Sequence, residues 1–151
     1  MTGTGESELE RLKKELQTEH EMYLRALADF DNYRRRVDRE RAGAAQLGKR
    51  EILLSLIELL DGFDRAQEHT GAASPLSEGV QALHRQLLKL IESQGVTPSD
   101  SAGEAFDPEL HEAVGSEERG ERKAGTITSE QRRGYRWGDQ VLRPAGVRVA
   151  Q

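Results

Sequence analysis

Cysteine is absent from the 151-residue chain, and long apolar runs are absent as well. Without cysteine, disulfides, thiolate catalysis and cysteine-ligated metals are excluded. No apolar segment approaches the ~20 residues that a membrane-spanning helix requires. Residues 1–10 are polar and acidic, unlike a signal peptide or an arginine-rich transit segment. We therefore expect a soluble protein of a reducing compartment, the cytoplasm.

Apolar and aromatic residues are also scarce. Only 35% of the residues are hydrophobic and 5% are aromatic, whereas 32% are charged. This balance is typical of a long helix that exposes most of its surface, and it argues against a large compact enzyme. The formal net charge of −5 gives no reason to expect nucleic-acid binding. Residues 34–41 and 117–149 each carry a local net charge of +3, which favours contact with an acidic protein surface.

Heptad spacing predicts a long coiled-coil-like helix over residues 9–51, preceded by a flexible N-terminus over residues 1–8. One heptad position holds Leu9, Leu16, Tyr23, Phe30, Val37 and Ala44, and the other holds Leu12, Ala26, Tyr33 and Leu47. Glu19 and Glu40 interrupt the second series, so this seam is narrow. Gly43 and Gly48 weaken it further, because each glycine costs roughly 1 kcal/mol relative to alanine in a helix. The alternative interpretation is a solitary exposed helix.

Residues 52–95 carry two wider apolar faces, separated by a predicted loop at residues 70–77. Two amphipathic helices cannot enclose a core alone, but two copies of the chain can form a dimeric four-helix bundle. The predicted dimer interface consists of Leu56, Leu60, Phe63, Leu83, Leu87 and Leu90. Because the bundle buries more apolar surface per turn than the seam does, we expect the long helix to melt first and to act as a thermal switch.

The remainder of the chain is predicted to be a linker at residues 96–105, followed by a short helix plus a small β-domain at residues 106–151. Asp107 and Pro108 indicate the start of a helix that runs through Ala113. Glycine-bounded segments predict strands at residues 125–129, 134–137, 140–143 and 146–149. Gly138-Asp139 is a two-residue hairpin signal. The predicted fold class is therefore mainly α with a small C-terminal β-domain.

Motifs for catalysis or ligand binding are incomplete. Gly120 and Gly125 have the outer spacing of a phosphate loop, but Thr126 stands where the lysine is required. His111-Glu112 begins like a zinc-protease motif, but Gly115 stands where the second histidine ligand is required. We therefore expect no catalytic residue, no cofactor and no metal, and hence no enzyme.

The C-terminal third carries many residue types at fixed offsets. They are Phe106-Asp107-Pro108, His111, Ala113, Val114, Gly134-Tyr135, Asp139, Leu142-Arg143, Ala145, Val147 and Val149. Together with residues 28–36 (ADFDNYRRR) and 60–66 (LDGFDRA), this pattern resembles the GrpE family from roughly Leu16 to Val149. The resemblance implies a parallel homodimer with paired long helices, a central four-helix bundle and one small β-domain per chain.

The resemblance also implies a function. Members of this family are nucleotide exchange factors, which bind the nucleotide-binding domain of a DnaK-type heat-shock chaperone and promote ADP release. Arg143 matches the family's contacting arginine in a Leu-Arg-x-Ala strand, and Arg34 matches a basic contact position in the long helix. Gly43 and Leu47 depart from the family pattern, so the helix contact is expected to be weaker or rearranged. His111 is expected to be a packing histidine.

Two other functions are compatible with parts of the sequence. A structural coiled-coil adaptor would use the same helices without exchange activity. An RNA-binding helical protein would use residues 34–36, but their acidic flanks and the pI of about 5.5 argue against it. The simplest interpretation of the arginines at 34–36 is that they form a solvated face of the helix without a binding role. Accelerated release of labelled ADP from a DnaK-type chaperone distinguishes exchange activity from the other functions.

Overall fold

A computed structural model describes residues 3–69, 75–118 and 120–151, with side chains from residue 5 onward. Two helices come first, α1 (Gly3–His69) and α2 (Pro75–Ser93). Six strands follow: β1 (Val96–Pro98), β2 (His111–Glu117), β3 (Ile127–Arg132), β4 (Tyr135–Trp137), β5 (Gln140–Arg143) and β6 (Ala145–Ala150). The chain divides into two compact units, Met1–Gly48 and Lys49–Gln151. The predicted class, mainly α with a C-terminal β-domain, is confirmed.

The first unit consists of α1 residues alone. Between residues 5 and 48 every residue is exposed except Val37 and Gly48, which are half-buried. Even the heptad residues Leu16 and Phe30 remain 71% and 59% exposed. The helix continues through Gly43 and Gly48, as the sequence predicted. A single chain therefore gives this segment almost no burial.

The second unit has its main core where the helices meet a small sheet. Leu53, Ile57 and Leu60 lie on one face of α1, because residues three and four apart share a face of a helix. They pack with Ile91 of α2 and with residues of β1, β4 and β5, namely Val96, Tyr135 and Leu142. The C-terminal part of α1 is therefore a structural base for the β-domain.

The sheet that contacts this core has the strand order β1-β4-β5, and both strand pairs are antiparallel. Trp137 pairs with Gln140 across the predicted hairpin. Of the two turn residues only the first, Gly138, has a positive φ, +58°, as in a type II′ turn. Trp137 Nε1 donates a hydrogen bond to the carbonyl of Gln94, 3.1 Å away, at the end of α2. The hairpin prediction is confirmed, and β5 has the predicted bounds.

A second sheet has the order β2-β6-β3, with β2 parallel and β3 antiparallel to the central β6. Its own small core consists of Ile127, Ala145 and Val147, with Phe106 and Val149 packed against them. Observed β6 extends the predicted strand by one residue at each end, and β3 begins two residues later than predicted.

Three local predictions were wrong. Residues 75–77 belong to α2 rather than to the predicted loop, because Pro75 fits the first helical turn; residues 70–74 lie outside the described part of the chain. Val96–Pro98, expected in the linker, is β1, and Val96 is fully buried in the core.

The third wrong prediction is the short helix at Asp107. Asp107 Oδ1 does accept a hydrogen bond from the Glu109 amide at 2.9 Å, as an N-cap would. However, the chain makes only a turn and enters β2 at His111, which pairs with Ala145. The tertiary pairing with β6 overrides the local helix signal.

Candidate functional site

The side chain of Arg143 connects the β-domain to α1. It lies on β5 and forms a bidentate ion pair with Asp61, with Nη1–Oδ2 at 2.5 Å and Nη2–Oδ1 at 2.8 Å. Its Nη2 and Nε also donate to the carbonyl of Arg133, at 2.8 and 3.3 Å. The guanidinium carbon lies 5.5 Å from the centre of the Tyr135 ring. No sequence pattern indicated that Asp61 would be its partner.

Both members of this pair are largely shielded from solvent. The side chain of Arg143 is 12% exposed and that of Asp61 is 19% exposed. Bidentate charge-assisted hydrogen bonds fix geometry as well as contributing energy. The predicted chaperone-contact residue is therefore engaged within its own chain.

A second group of contacts holds the two residues of β5 that precede Arg143. Arg50 of α1 donates from Nη2 to the Leu142 carbonyl at 2.9 Å and from Nη1 to the Val141 carbonyl at 3.4 Å. The neighbouring Lys49 ammonium lies 5.5 Å from the centre of the Trp137 ring, within cation–π range. The β4–β5 hairpin is thus bound to α1 by polar contacts on both sides of the apolar core.

Arg34, the second predicted contact, is exposed on α1 in the first unit. Nearby arginines are engaged locally: Arg36 lies 3.8 Å from Glu40 and 5.6 Å from the Tyr33 ring centre, and Arg39 donates to the Arg35 carbonyl. Arg34 has no side-chain hydrogen bond or ion pair among residues 5–69, 75–118 and 120–151. Its charge is available to a partner.

The six predicted dimer residues fall into three groups. Leu83 and Leu90 of α2 are 55% and 51% exposed. Leu56, Phe63 and Leu87 are half-buried. Leu60 is fully buried in the chain's own core, so it has no accessible surface to lose to a second copy. Its role in the dimer interface stays a prediction, and periodicity alone did not separate the α1 face that meets the β-domain from the face left open.

Further apolar residues of the two helices are exposed and were not assigned to the interface. Leu76 is 76% exposed and lies one heptad before Leu83, which lies one heptad before Leu90. On α1, Ile52 and Leu59 are also seven residues apart, and they are 64% and 52% exposed. The heptad spacing of the exposed leucines was a signal in the sequence that could have identified these positions.

Polar contacts also join the two helices. His84 Nε2 of α2 lies 3.0 Å from Asp64 Oδ1 of α1, and the His84 ring meets Phe63 edge-on, with a centroid distance of 6.3 Å. Phe63 is therefore partly covered by a residue of its own chain.

His111 is 6% exposed, and its Nδ1 accepts a hydrogen bond from the Asp107 amide at 3.0 Å. The His111 amide donates back to the Asp107 carbonyl at 2.8 Å. Burial of His111 and its two hydrogen bonds with Asp107 confirm the prediction of a packing histidine.

Among the residues that the structure describes, Tyr135 and Glu117 have shifted pKa values. Burial raises the pKa of Tyr135 above the ordinary tyrosine value. Hydrogen bonding from Arg148, 3.0 Å away, is the main cause of a lowered pKa for Glu117. Tyr135 lies in the main core, whereas Glu117 forms an exposed ion pair with Arg148.

In the described ranges, no cluster of histidine, aspartate and glutamate has a metal-binding arrangement. None of the described helical segments has the length and apolarity needed to cross a membrane.

Comparison with known proteins shows similarity along the whole chain. The GrpE family model matches residues 2–151. Protein GrpE of Desulfatibacillum aliphaticivorans is 39% identical over 137 residues, covering 87% of this chain and 66% of the relative. Protein GrpE of Synechococcus elongatus is 39% identical over 145 residues, covering 93% and 70%. Protein GrpE of Staphylococcus haemolyticus is 34% identical over 149 residues, covering 97% and 72%. The chain thus spans about two thirds of the length of these relatives.

Proposed function

The chain belongs to the GrpE family, and from this membership we propose that it is a nucleotide exchange factor of a DnaK-type chaperone. It would bind the chaperone's nucleotide-binding domain and promote ADP release in the cytoplasm, without being an enzyme. The observation that supports this function is the family match, which extends over both units, residues 2–151.

The proposed mechanism is differential binding. If the chain prefers the open, nucleotide-free form of the chaperone, its binding weakens nucleotide affinity by the same factor by which nucleotide weakens its own binding. No bond is made or broken, so no catalytic residue, cofactor or metal is needed.

Two contact regions are proposed. The first is Arg34 on α1, because its charge has no partner within the described chain and lies among further arginines. Exposed charges at the edge of a protein–protein interface mainly accelerate association with a partner of opposite charge. The second is the β-domain around Arg143, which the contacts of Arg50 and Asp61 hold against α1.

A homodimer is part of the proposal. The open apolar surface of α2, with Leu76, Leu83 and Leu90 at heptad spacing, is of the kind that a second copy covers in a helix bundle. The seam residues of the first unit would pair in the same dimer, since a single chain leaves them exposed.

Thermal modulation is the last part of the proposal. The first unit depends on its partner helix for all of its burial, whereas the second unit has a core of its own. Local stability follows buried apolar contact, so the seam should open at lower temperature and remove the Arg34 contact on heating.

A stopped-flow assay tests the function. Release of a fluorescent ADP analogue from a DnaK-type chaperone is measured with and without the protein, and a concentration-dependent acceleration is expected. An unchanged release rate at saturating protein, with a dimer of intact secondary structure, would instead favour a structural coiled-coil adaptor. Steeply salt-dependent binding to RNA would instead favour an RNA-binding helical protein.

A further inference from the structure

The ion pair of Arg143 and Asp61 joins two segments that are 82 residues apart in sequence. Asp61 belongs to α1, whereas Arg143 ends the strand β5. Because the same guanidinium also binds the Arg133 carbonyl before β4, both strands of the hairpin are tied to one carboxylate. We call Asp61 and Arg143 the latch.

The latch supplies an orientation that apolar packing alone does not. Hydrophobic burial of Leu53, Ile57 and Leu142 is non-directional, so it permits small rotations and shifts of the sheet on the helix. On α1, Arg50 precedes Asp61 by eleven residues, which is about 16 Å at 1.5 Å per residue. Arg50 binds the Val141 and Leu142 carbonyls of β5. Arg50 and Asp61 thus bind neighbouring residues of β5 from two points of α1, and together they restrict rotation of this strand on the helix.

We propose that Arg143 and Asp61 are positioning residues, which hold the β4–β5 hairpin in the orientation that meets the chaperone, and that Arg143 makes no direct contact with it. This inference rests on the proposed exchange function. A partner carboxylate could recruit Arg143 only by breaking a largely buried bidentate pair, which would leave Asp61 unpaired. A preoriented domain, in contrast, binds without a further loss of orientational freedom.

The two roles give opposite results for the variant Asp61→Asn. If Arg143 contacts the chaperone directly, weakening its internal partner frees the guanidinium, and chaperone affinity is unchanged or increased. If Arg143 is a positioning residue, the hairpin samples other orientations and chaperone affinity falls. When the competent orientation is populated to about one tenth, the apparent affinity falls about tenfold.

The experiment compares Asp61→Asn, Arg143→Lys and the double variant in the full-length dimer. ADP release is measured over a range of protein concentrations, which gives a half-saturating concentration and a saturating rate. We expect both single variants to raise the half-saturating concentration about tenfold and to leave the saturating rate unchanged. The double variant should be no weaker than the weaker single variant, because both changes break the same pair.

Asp64→Asn is the matched control. Asp64 lies on the same helix, three residues after Asp61, but pairs with His84 of α2 instead of with the β-domain. This variant should keep the wild-type half-saturating concentration. Amide hydrogen exchange of residues 135–143 supplies a readout independent of the chaperone, and it should accelerate in Asp61→Asn but not in Asp64→Asn.

Several outcomes would overturn the inference. A lower half-saturating concentration for Asp61→Asn would show that Arg143 acts directly, and an unchanged one would show that the pair does not position the hairpin for the chaperone. A double variant whose loss equals the product of the single losses would show that the residues act separately. Faster hydrogen exchange with unchanged chaperone affinity would make the pair merely structural. If the wild-type protein itself does not accelerate release, the proposed function fails, whereas faster exchange in Asp61→Asn would still show that the latch orders the hairpin.

Discussion

At the scale of single residues, the β-domain depends on buried polar groups with specific partners. His111 and Ser101 are the buried polar residues of the described ranges, and each contacts a specific partner. Ser101 donates its amide to Glu130 at 3.3 Å, and His111 closes the turn that begins at Asp107. Such contacts specify how irregular segments fold.

Replacement of His111 by alanine should destabilise the second sheet. The Asp107 amide would lose its acceptor, and an unsatisfied buried donor costs about 1–3 kcal/mol. Urea denaturation followed by tryptophan fluorescence and circular dichroism measures the loss. His20→Ala is the control, because His20 is exposed on α1 and should change the unfolding free energy little. An equal effect of both variants would contradict the assigned role.

Tyr135 should make the protein sensitive to alkaline pH. Burial raises the pKa of Tyr135, so the folded state holds the phenol proton more tightly than the unfolded state does. Its contribution to stability is complete below the unfolded tyrosine pKa of about 10 and is lost as the pH rises above that value. Urea denaturation at increasing pH should show this loss in the wild type and less of it in Tyr135→Phe. Tyr33→Phe, which changes an exposed phenol, should retain the wild-type dependence.

At the scale of elements, α1 has two parts with different sources of stability. Residues 5–48 are exposed almost throughout, whereas Leu53, Ile57 and Leu60 are at most 2% exposed. One continuous helix therefore includes a segment that has almost no burial in a single chain and a segment that packs on its own β-domain.

Alanine at Gly43 and Gly48 should stabilise the first part selectively. A Cβ atom at either position meets nothing within 4 Å, so no steric cost offsets the gain in helix propensity. Each substitution should stabilise the seam by up to about 1 kcal/mol and raise the first of two thermal transitions. Calorimetry and circular dichroism should show the second transition nearly unchanged. A single cooperative transition would show that this part of α1 is not an independent thermal element.

Alanine at Gly134 should have the opposite effect. A Cβ atom there would lie 2.5 Å from Ser99 Oγ and 2.7 Å from the Ala145 amide nitrogen, at the junction of the two sheets. The backbone atom cannot move without disturbing β6, so we expect destabilisation of about 1–3 kcal/mol by overpacking. Chemical denaturation of Gly134→Ala beside Gly48→Ala measures the contrast. A neutral result at Gly134 would show that this junction can relax.

At the scale of the whole molecule, the exposed leucines of α2 predict self-association. Sedimentation equilibrium should report about twice the chain mass of 16.9 kDa. Leu83→Glu should shift the protein towards monomer, since Leu83 is 55% exposed in one chain and a buried carboxylate is costly at an interface. Gln81→Glu, an exposed position about 160° around the same helix, adds the same charge and should remain dimeric. A wild-type monomer at micromolar concentration would contradict the bundle.

The sequence by itself determined the features that depend on nearby residues. The apolar period specified the helices, and Gly138-Asp139 specified a hairpin whose second strand, Gln140–Arg143, has the predicted bounds. The residue types at fixed offsets also identified the family. These signals are local, because helix periodicity and turn conformations are properties of a few consecutive residues.

Only the tertiary structure decided which partners meet across the chain. β2 pairs with β6 where a helix was expected, and Leu60 faces the β-domain where a dimer contact was expected. Arg143 binds Asp61 where a free contact was expected. The periodicity of a sequence shows which positions are apolar or charged, but it does not show which part of the chain, or which second chain, covers those positions. That choice depends on burying apolar area and pairing buried charges over long sequence separations.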